Sequence, residues 1–351
     1  MKIAVAMSGG VDSTAAAVIL QEKGNQVAGF TMQHYDSSIK GITEDDNIKK
    51  DIDDARKVCR KLKIPHYVIK LQNRFQTEVI DNFINQYKKG FTPNPCVICN
   101  PTIKWGAFIE AITKKFDFDK IATGHYAKIE LTDDKIHLYK AEDRNKDQSY
   151  MLWKLNQKQL SHTLFPLGNL TKDEVRGKIK NLGIATHDRK ESQDICFIAE
   201  DYTSFLENYF EFKPGKIRYI DGKIIGKHKG ISHYTIGQRK GLETSLNKPL
   251  YVMEIDIAAN EIVVSDEISD LERKTFEIYK VNWLQKLNFD GLDNIKVKIR
   301  YNSKELAVQS IVKSDKNLEI KLCNPVKAIT PGQSAVFYRK DELIGGGIII
   351  K

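Results

Sequence analysis

Six residues near the N-terminus, Ser8-Gly9-Gly10-Val11-Asp12-Ser13, constrain this chain more than any other stretch. They follow the apolar run Ile3-Ala4-Val5-Ala6-Met7 and precede an apolar, small-residue run over residues 14–20. That order reads strand, tight turn, helix. The paired glycines let the backbone turn sharply and approach a ligand closely. A helix that starts there offers unpaired N–H donors and the positive end of its dipole, which favour an anion such as phosphate. Ser8 and Ser13 add hydroxyl donors, and Asp12 is placed to hold a Mg2+ that bridges phosphate oxygens. The ordinary P-loop ends in Gly-Lys-Ser/Thr, and no lysine stands near Asp12 in the chain. The dinucleotide fingerprint Gly-x-Gly-x-x-Gly is missing as well. A plain glycine turn capped by serine is the alternative without chemistry.

The chain then alternates. Residues 26–32 read as a second strand, whose end brings Met32 to the ligand edge, either to pack on an adenine ring or as simple core. Residues 47–62 read as an amphipathic helix with Ile48, Ile52, Ala55, Cys59 and Leu62 on one stripe, residues 64–69 as a strand and 74–88 as a helix. Strand and helix in alternation predict an α/β domain with a parallel sheet, whose ligands sit beyond the C-terminal strand ends. Pro93 and Pro95 around Asn94 predict a stiff loop running into Cys96-x-x-Cys99, with a helix only from residue 104. Residues 120–123 read as a strand that ends in Gly124-His125, again at the ligand edge.

At 351 residues two or three domains are expected. From residue 212 glycines become frequent and strands short. Residues 212–241 hold eight Lys or Arg against one Asp, interleaved with His228, His233, Tyr234 and Gln238, a pattern that fits RNA contact better than simple solvation. From about Arg273 the pattern is all strand, at a spacing that suggests a small barrel or sandwich. Lys plus Arg exceeds Asp plus Glu by nine, which suits a polyanionic partner. No run approaches the roughly eighteen apolar residues of a membrane span, and Met1-Lys2 leads straight into the first strand, so a cytoplasmic location is expected. Five cysteines (Cys59, Cys96, Cys99, Cys196 and Cys323) in a reducing compartment read as core, metal or catalytic residues rather than a disulfide framework.

The first loop resembles the pyrophosphatase-type loop (PP-loop) of enzymes that split ATP into AMP and pyrophosphate. Further motifs then agree in order: Thr92-Pro93-Asn94-Pro95 with Cys99-Asn100, residues 122–126, Lys146-Asp147-Gln148-Ser149-Tyr150, Ser192-Gln193-Asp194-Ile195-Cys196-Phe197-Ile198, Gly237-Gln238-Arg239 and Pro331-Gly332-Gln333. Together, and nearly end to end, the chain resembles the tRNA-specific 2-thiouridylase family. The resemblance implies a PP-loop domain over residues 1–205, a small β-rich central domain with a basic face over 206–272 and a C-terminal β-barrel over 273–351. It implies ATP held by Ala6, Met7, Ser8, Gly9, Gly10, Val11, Asp12, Ser13, Met32 and Gly124, with Mg2+. AMP is transferred to the C2 oxygen of the wobble uridine of tRNA, which makes a poor leaving group a good one.

Sulfur then replaces that oxygen. In the family the position of Cys196 carries a persulfide received from a cysteine desulfurase or sulfur-relay protein, and that of Cys99 is its partner nucleophile. Sulfur either passes directly to C2, leaving the two as a disulfide, or is released as hydrosulfide when Cys99 attacks; both routes stay open. The resemblance places Asn94, Pro95, Cys96, His125, Lys146, Asp147, Gln148, Arg300, Tyr301 and Gln333 against tRNA, with the lysine, glutamate and glutamine acceptors as the family's usual substrates. Many members carry Asp at the position of Cys96. Its presence here leaves three readings: a tolerated neighbour of the nucleophile, a 4Fe–4S cluster on Cys96, Cys99 and Cys196 with one open iron, or half a zinc site. Rival functions are another PP-loop ligase, which has no need of Cys99 and Cys196, and a tRNA-binding protein that keeps ATP as a structural ligand.

Overall fold

The computed structural model describes all residues except 43–45, 185–194, 199–200, 243, 245, 247 and 287–293. The chain divides into two units. The first holds residues 1–80, 95–199 and 341–344; the second holds 81–94, 200–340 and 345–351.

The first unit is built on a parallel sheet of β1 (Lys2–Ala6), β2 (Gln26–Gln33), β3 (His66–Lys70), β4 (Lys120–Ala122) and a short last strand, Thr163–Leu164, in the order β3-β2-β1-β4 and then that strand. The order reverses between β1 and β4, so the loops that leave these two strands open the crevice where such sheets take their ligands. Helix α1 (Val11–Glu22) lies on the sheet through Ala15, Ala16 and Ala17, all fully buried, whose small side chains permit close packing. Helix α2 (Asp46–Leu62) buries the predicted stripe of Ile48, Ile52, Ala55 and Cys59. The polar hairpin β5 (Lys128–Thr132) and β6 (Lys135–Tyr139) pairs with Glu342 and Leu343.

One sequence expectation needs correction in this unit. The helix expected from residue 104 starts at Pro95, so Cys96 and Cys99 ride on its first turns rather than on a loop. A proline is well suited to a first helical position, where its missing N–H has no partner to lose. Pro101 then sits inside the helical run, and residues Asn100–Phe108 take the wider π-type turn that tolerates its missing donor. Residues Ser149–Met151 form a single 3-10 turn. Residues Ser192, Gln193 and Asp194 lie outside the described residues.

In the second unit, a sheet with the strand Thr163–Leu164 counted as β7 before it, β8 (Gly215–Tyr219), β9 (Ile224–His228), β10 (Tyr251–Asp256) and β11 (Glu261–Ser265) run in the order β10-β11-β8-β9. Ile217, Val252, Ile262 and Val264 are fully buried at its centre. The remaining strands are β12 (Glu272–Trp283), β13 (Ile295–Lys298), β14 (Leu306–Ser314), β15 (Asn317–Lys327), β16 (Ser334–Arg339) and β17 (Glu342–Ile349). They pair in the order β12-β15-β14-β13-β16-β17, and β12 pairs with β17 to close a six-stranded barrel. Closure removes the exposed edges an open sheet would present. Cys323 lies within β15 and is exposed. Arg300 and Tyr301 fall beyond the end of β13.

Candidate active site

The loop between β1 and α1 is organised by its own hydroxyls. Ser8 N–H donates to Ser13 Oγ (3.1 Å), and Ser13 Oγ and Thr14 Oγ1 both donate to the Gly10 carbonyl (3.2 and 2.8 Å). Gly9 stands at φ +71°, the left-handed region that only glycine enters freely. No side chain caps α1 at Gly10, and Asp12 lies in its first turn. The first-turn N–H groups therefore remain available to an anion. Beside this loop, a Cβ on Gly124 would stand 2.8 Å from Asp12 C and Ser13 N, both backbone atoms. The loops after β1 and β4 thus touch backbone to backbone, as the sheet's switch point requires. Ala6 and Met32 stand half-buried at the ends of β1 and β2, while Met7 and Val11 are buried.

Sequence reading missed the partner of Asp12. Lys172 begins the helix Lys172–Asn181, far along the chain, and its buried Nζ donates to both Asp12 oxygens (2.7 and 2.8 Å). Tyr126 Oη donates to Asp12 Oδ1 (2.8 Å). A capping box at Thr171 and Glu174 fixes the start of that helix, as the sequence pattern predicts. Only the capping box, not the ion pair, was readable, because the pair spans 160 residues.

The same unit holds the thiols. Cys99 is buried, and its thiol is pushed up to about 12 by burial, against the lowering effect of the Lys104 charge. Cys196 is exposed, yet protein groups crowd its thiol. That crowding, then the neighbouring Cys99 and Cys96, holds its thiol far above the usual range, with Lys104 opposing. Cys96 is exposed. Cys196 Sγ lies 3.6 Å from His34 Nε2. Lys104 is a second feature the sequence did not single out; its field reaches Cys99, Cys196, His34 and His125. Asn100 donates to the Met151 carbonyl (2.8 Å), and its own side-chain oxygen is buried without a partner among the described residues.

Among the described residues no three His, Cys, Asp or Glu side chains group to hold a metal ion. The structure therefore does not support the iron–sulfur reading of Cys96, Cys99 and Cys196, and no metal is assigned to them.

The residues matched to tRNA contacts separate into two kinds. Asp147 is buried and turns its carboxylate inward, accepting from Ala141 N–H (3.0 Å), Ser149 N–H (3.2 Å) and Ser149 Oγ (2.8 Å). Gln148 is tied to Tyr126 by its side chain (3.0 Å) and by its backbone (2.8 Å). His125 is half-buried beside the rings of Trp105 and Phe165 and bonds Thr123 Oγ1 (2.8 Å); burial keeps it neutral, with a pKa well below the usual value. Lys146 and Asn94 are half-buried, and Pro95 is buried at the helix start.

In the second unit Gln333 Nε2 donates to the Thr92 carbonyl (2.7 Å) and Thr92 N–H to the Pro331 carbonyl (2.9 Å), so Pro331-Gly332-Gln333 fixes the segment that leads into Asn94. Arg300 donates to the Ala328 carbonyl (2.6 Å) and Thr330 Oγ1 (2.5 Å). Tyr301 is half-buried with Lys298 Nζ 5.8 Å over its ring. The basic stretch at 212–241 needs a correction: His228 and Tyr234 are buried core residues, not a surface for stacking bases. Arg218 and Lys216 are also drawn to Glu261, which trims the free positive charge.

Comparison with known proteins agrees with this layout. Residues 1–200 match the family model described as tRNA methyl transferase HUP domain, 203–266 the tRNA methyl transferase PRC-barrel domain and 273–349 the aminomethyltransferase beta-barrel domain. The chain is 44% identical to the tRNA-specific 2-thiouridylase MnmA 2 of Clostridium botulinum strain Hall over 353 residues, covering 99% of this chain and 98% of that one. It is 43% identical to the tRNA-specific 2-thiouridylase MnmA of Halothermothrix orenii over 354 residues, with the same coverage. The MnmA of Treponema denticola is 43% identical over 362 residues, again 99% and 98% of the two chains. With a nucleotide loop at the sheet's switch point, a pair of cysteines in the same unit and likeness along the full length, the chain belongs to the tRNA-specific 2-thiouridylase family.

Proposed function

We propose that the protein is a tRNA-uridine 2-sulfurtransferase that replaces the C2 oxygen of the wobble uridine (position 34) with sulfur at the expense of ATP. The observation that carries this reading is the co-location, in one unit, of an uncapped phosphate-type loop with the thiols of Cys99 and Cys196. A methyl transferase, which the family-model descriptions mention, has no need of either. On this reading residues 6–13, Met32 and Gly124 hold ATP, and the α1 N–H groups meet its phosphates. Mg2+ offsets phosphate charge when bound. Asp12 suits it as one ligand, since Lys172 and Tyr126 leave part of its carboxylate's accepting capacity unused.

AMP transfer to the uridine O2 releases pyrophosphate. A persulfide on Cys196, supplied by a cysteine desulfurase or relay protein, then delivers sulfur, with Cys99 as the second thiol; AMP leaves with the oxygen. The uridine must leave its stack to be reached. Asn94, Pro95, Cys96, His125, Lys146, Asp147, Gln148, Arg300, Tyr301 and Gln333 are proposed around the tRNA, the internally bonded ones by positioning neighbours. The proposed domains are 1–205, 206–272 and 273–351. A cytoplasmic location is proposed, where tRNA and reduced thiols occur together; among the described residues no helix is long and apolar enough to cross a membrane.

The test is 2-thiouridine formation on lysine, glutamate and glutamine tRNA transcripts with ATP and a desulfurase. Pyrophosphate release that depends on tRNA is expected in the wild type. Cys99→Ser and Cys196→Ser are each expected to abolish thiolation, and full activity in Cys196→Ser would favour a PP-loop ligase instead.

A further inference from the structure

His34 stands just past β2 and is absent from every motif above, yet its Nε2 lies 3.6 Å from Cys196 Sγ, within hydrogen-bond reach of a thiol. Its other ring nitrogen, Nδ1, lies 3.2 Å from the Met32 carbonyl oxygen. A carbonyl oxygen only accepts, so Nδ1 carries the ring proton. Burial brings the ring's pKa down to about 4, so it is neutral at pH 7. Nε2 is then bare, and its bond with Cys196 is one in which the thiol donates. Tyr35 and Phe75 each meet the ring edge-on at 4.8 Å, and Phe75 in turn meets Phe197, the neighbour of Cys196, at 5.6 Å. The imidazole is thus fixed in both orientation and tautomer. Nucleophile, base and a third group that sets the base are the parts of an activated thiol.

We propose that His34 is the general base that loads Cys196 with sulfur. The inference rests on the reading of Cys196 as the sulfur carrier. Nε2 takes the thiol proton while Sγ attacks the terminal sulfur of a persulfide on the donor. The Sγ–S bond forms, the donor's S–S bond breaks, and its electron pair leaves on the donor thiolate. That thiolate then takes the proton from His34. The sulfane sulfur changes owner without net oxidation or reduction, and the persulfide-bearing donor is the only co-reactant. The step answers a need of this site: Cys196 rests as a thiol, and only its thiolate is a good nucleophile.

The test follows transfer of labelled terminal sulfur from cysteine persulfide to the full chain, without ATP or tRNA. His34→Gln is expected to load roughly a hundred- to ten-thousandfold more slowly than wild type, the usual scale for a lost general base. Free imidazole is expected to restore loading in His34→Gly. Loading of His34→Gln at the wild-type rate overturns the proposal, and so does a slow His34→Gly that imidazole does not rescue, since that marks a packing role. In the unaltered protein, 15N spectra should find the His34 proton on Nδ1; a proton on Nε2 overturns it without any variant. Unchanged 2-thiouridine formation by Cys196→Ser would instead remove the carrier reading on which the inference rests.

Discussion

Gly124 and Lys172 act on the nucleotide loop by opposite means, one by lacking a side chain and one by burying a charged one. The atoms a Gly124 Cβ would meet at 2.8 Å are backbone atoms of Asp12 and Ser13, which cannot swing aside. Gly124→Ala is expected to displace the loop, cost about 1–3 kcal/mol as an overpacked contact does, and weaken ATP binding, read by calorimetry. Lys172→Met keeps the bulk but removes the cation that Asp12 is paired with, beside the proposed phosphate site. Because Asp12 is about a third exposed, the stability loss in urea is expected to stay near 1–3 kcal/mol, below that of a fully buried pair. Its larger effect is expected in ATP affinity, which should become more dependent on Mg2+.

Elements that are local in sequence were readable. The loop at Ser8–Ser13, the α2 stripe and the Thr171–Glu174 capping box each depend on neighbours within a few turns, and the pattern carries the answer. Thr171→Ala should cost about 1 kcal/mol in thermal or denaturant unfolding, the value of one N-cap. Where reading failed, a distant partner or a proline decided. Prolines around Asn94 argued for a loop through Cys99, but Pro95 serves equally well as the first residue of a helix, and the chain takes that option. The aromatics of the basic stretch alternate with lysines as a binding surface would, yet His228 and Tyr234 point into a small sheet's core. His34, Lys104 and Lys172 carried no local signal at all: each matters for what the fold brings beside it.

At the scale of the molecule, buried neutral imidazoles tie stability to pH. His34, at about 4, and His125, well below its ordinary value, are both depressed by burial. An unfolded chain returns them to about 6.5. Between those values the unfolded state binds more protons, so stability rises with pH there and is fully present above about 6.5. Acidification from pH 7 toward 4 is expected to lower the urea midpoint, and His34→Gln should flatten part of that slope. A variant as steep as wild type would assign the acid sensitivity to other groups.

The pairing of β6 with Glu342 and Leu343 has a temporal side. His137 and Glu342 are 205 residues apart in the chain, and Thr92 waits 241 residues for Gln333. A ribosome makes the nucleotide loop first and these partners much later, at about 5–20 residues per second. For tens of seconds each nascent chain therefore carries the β5–β6 hairpin of the nucleotide-loop unit without its outer strand. A truncation after residue 205 would make that unfinished state permanent, so the catalytic unit is expected to be an end product of translation and not a module released early.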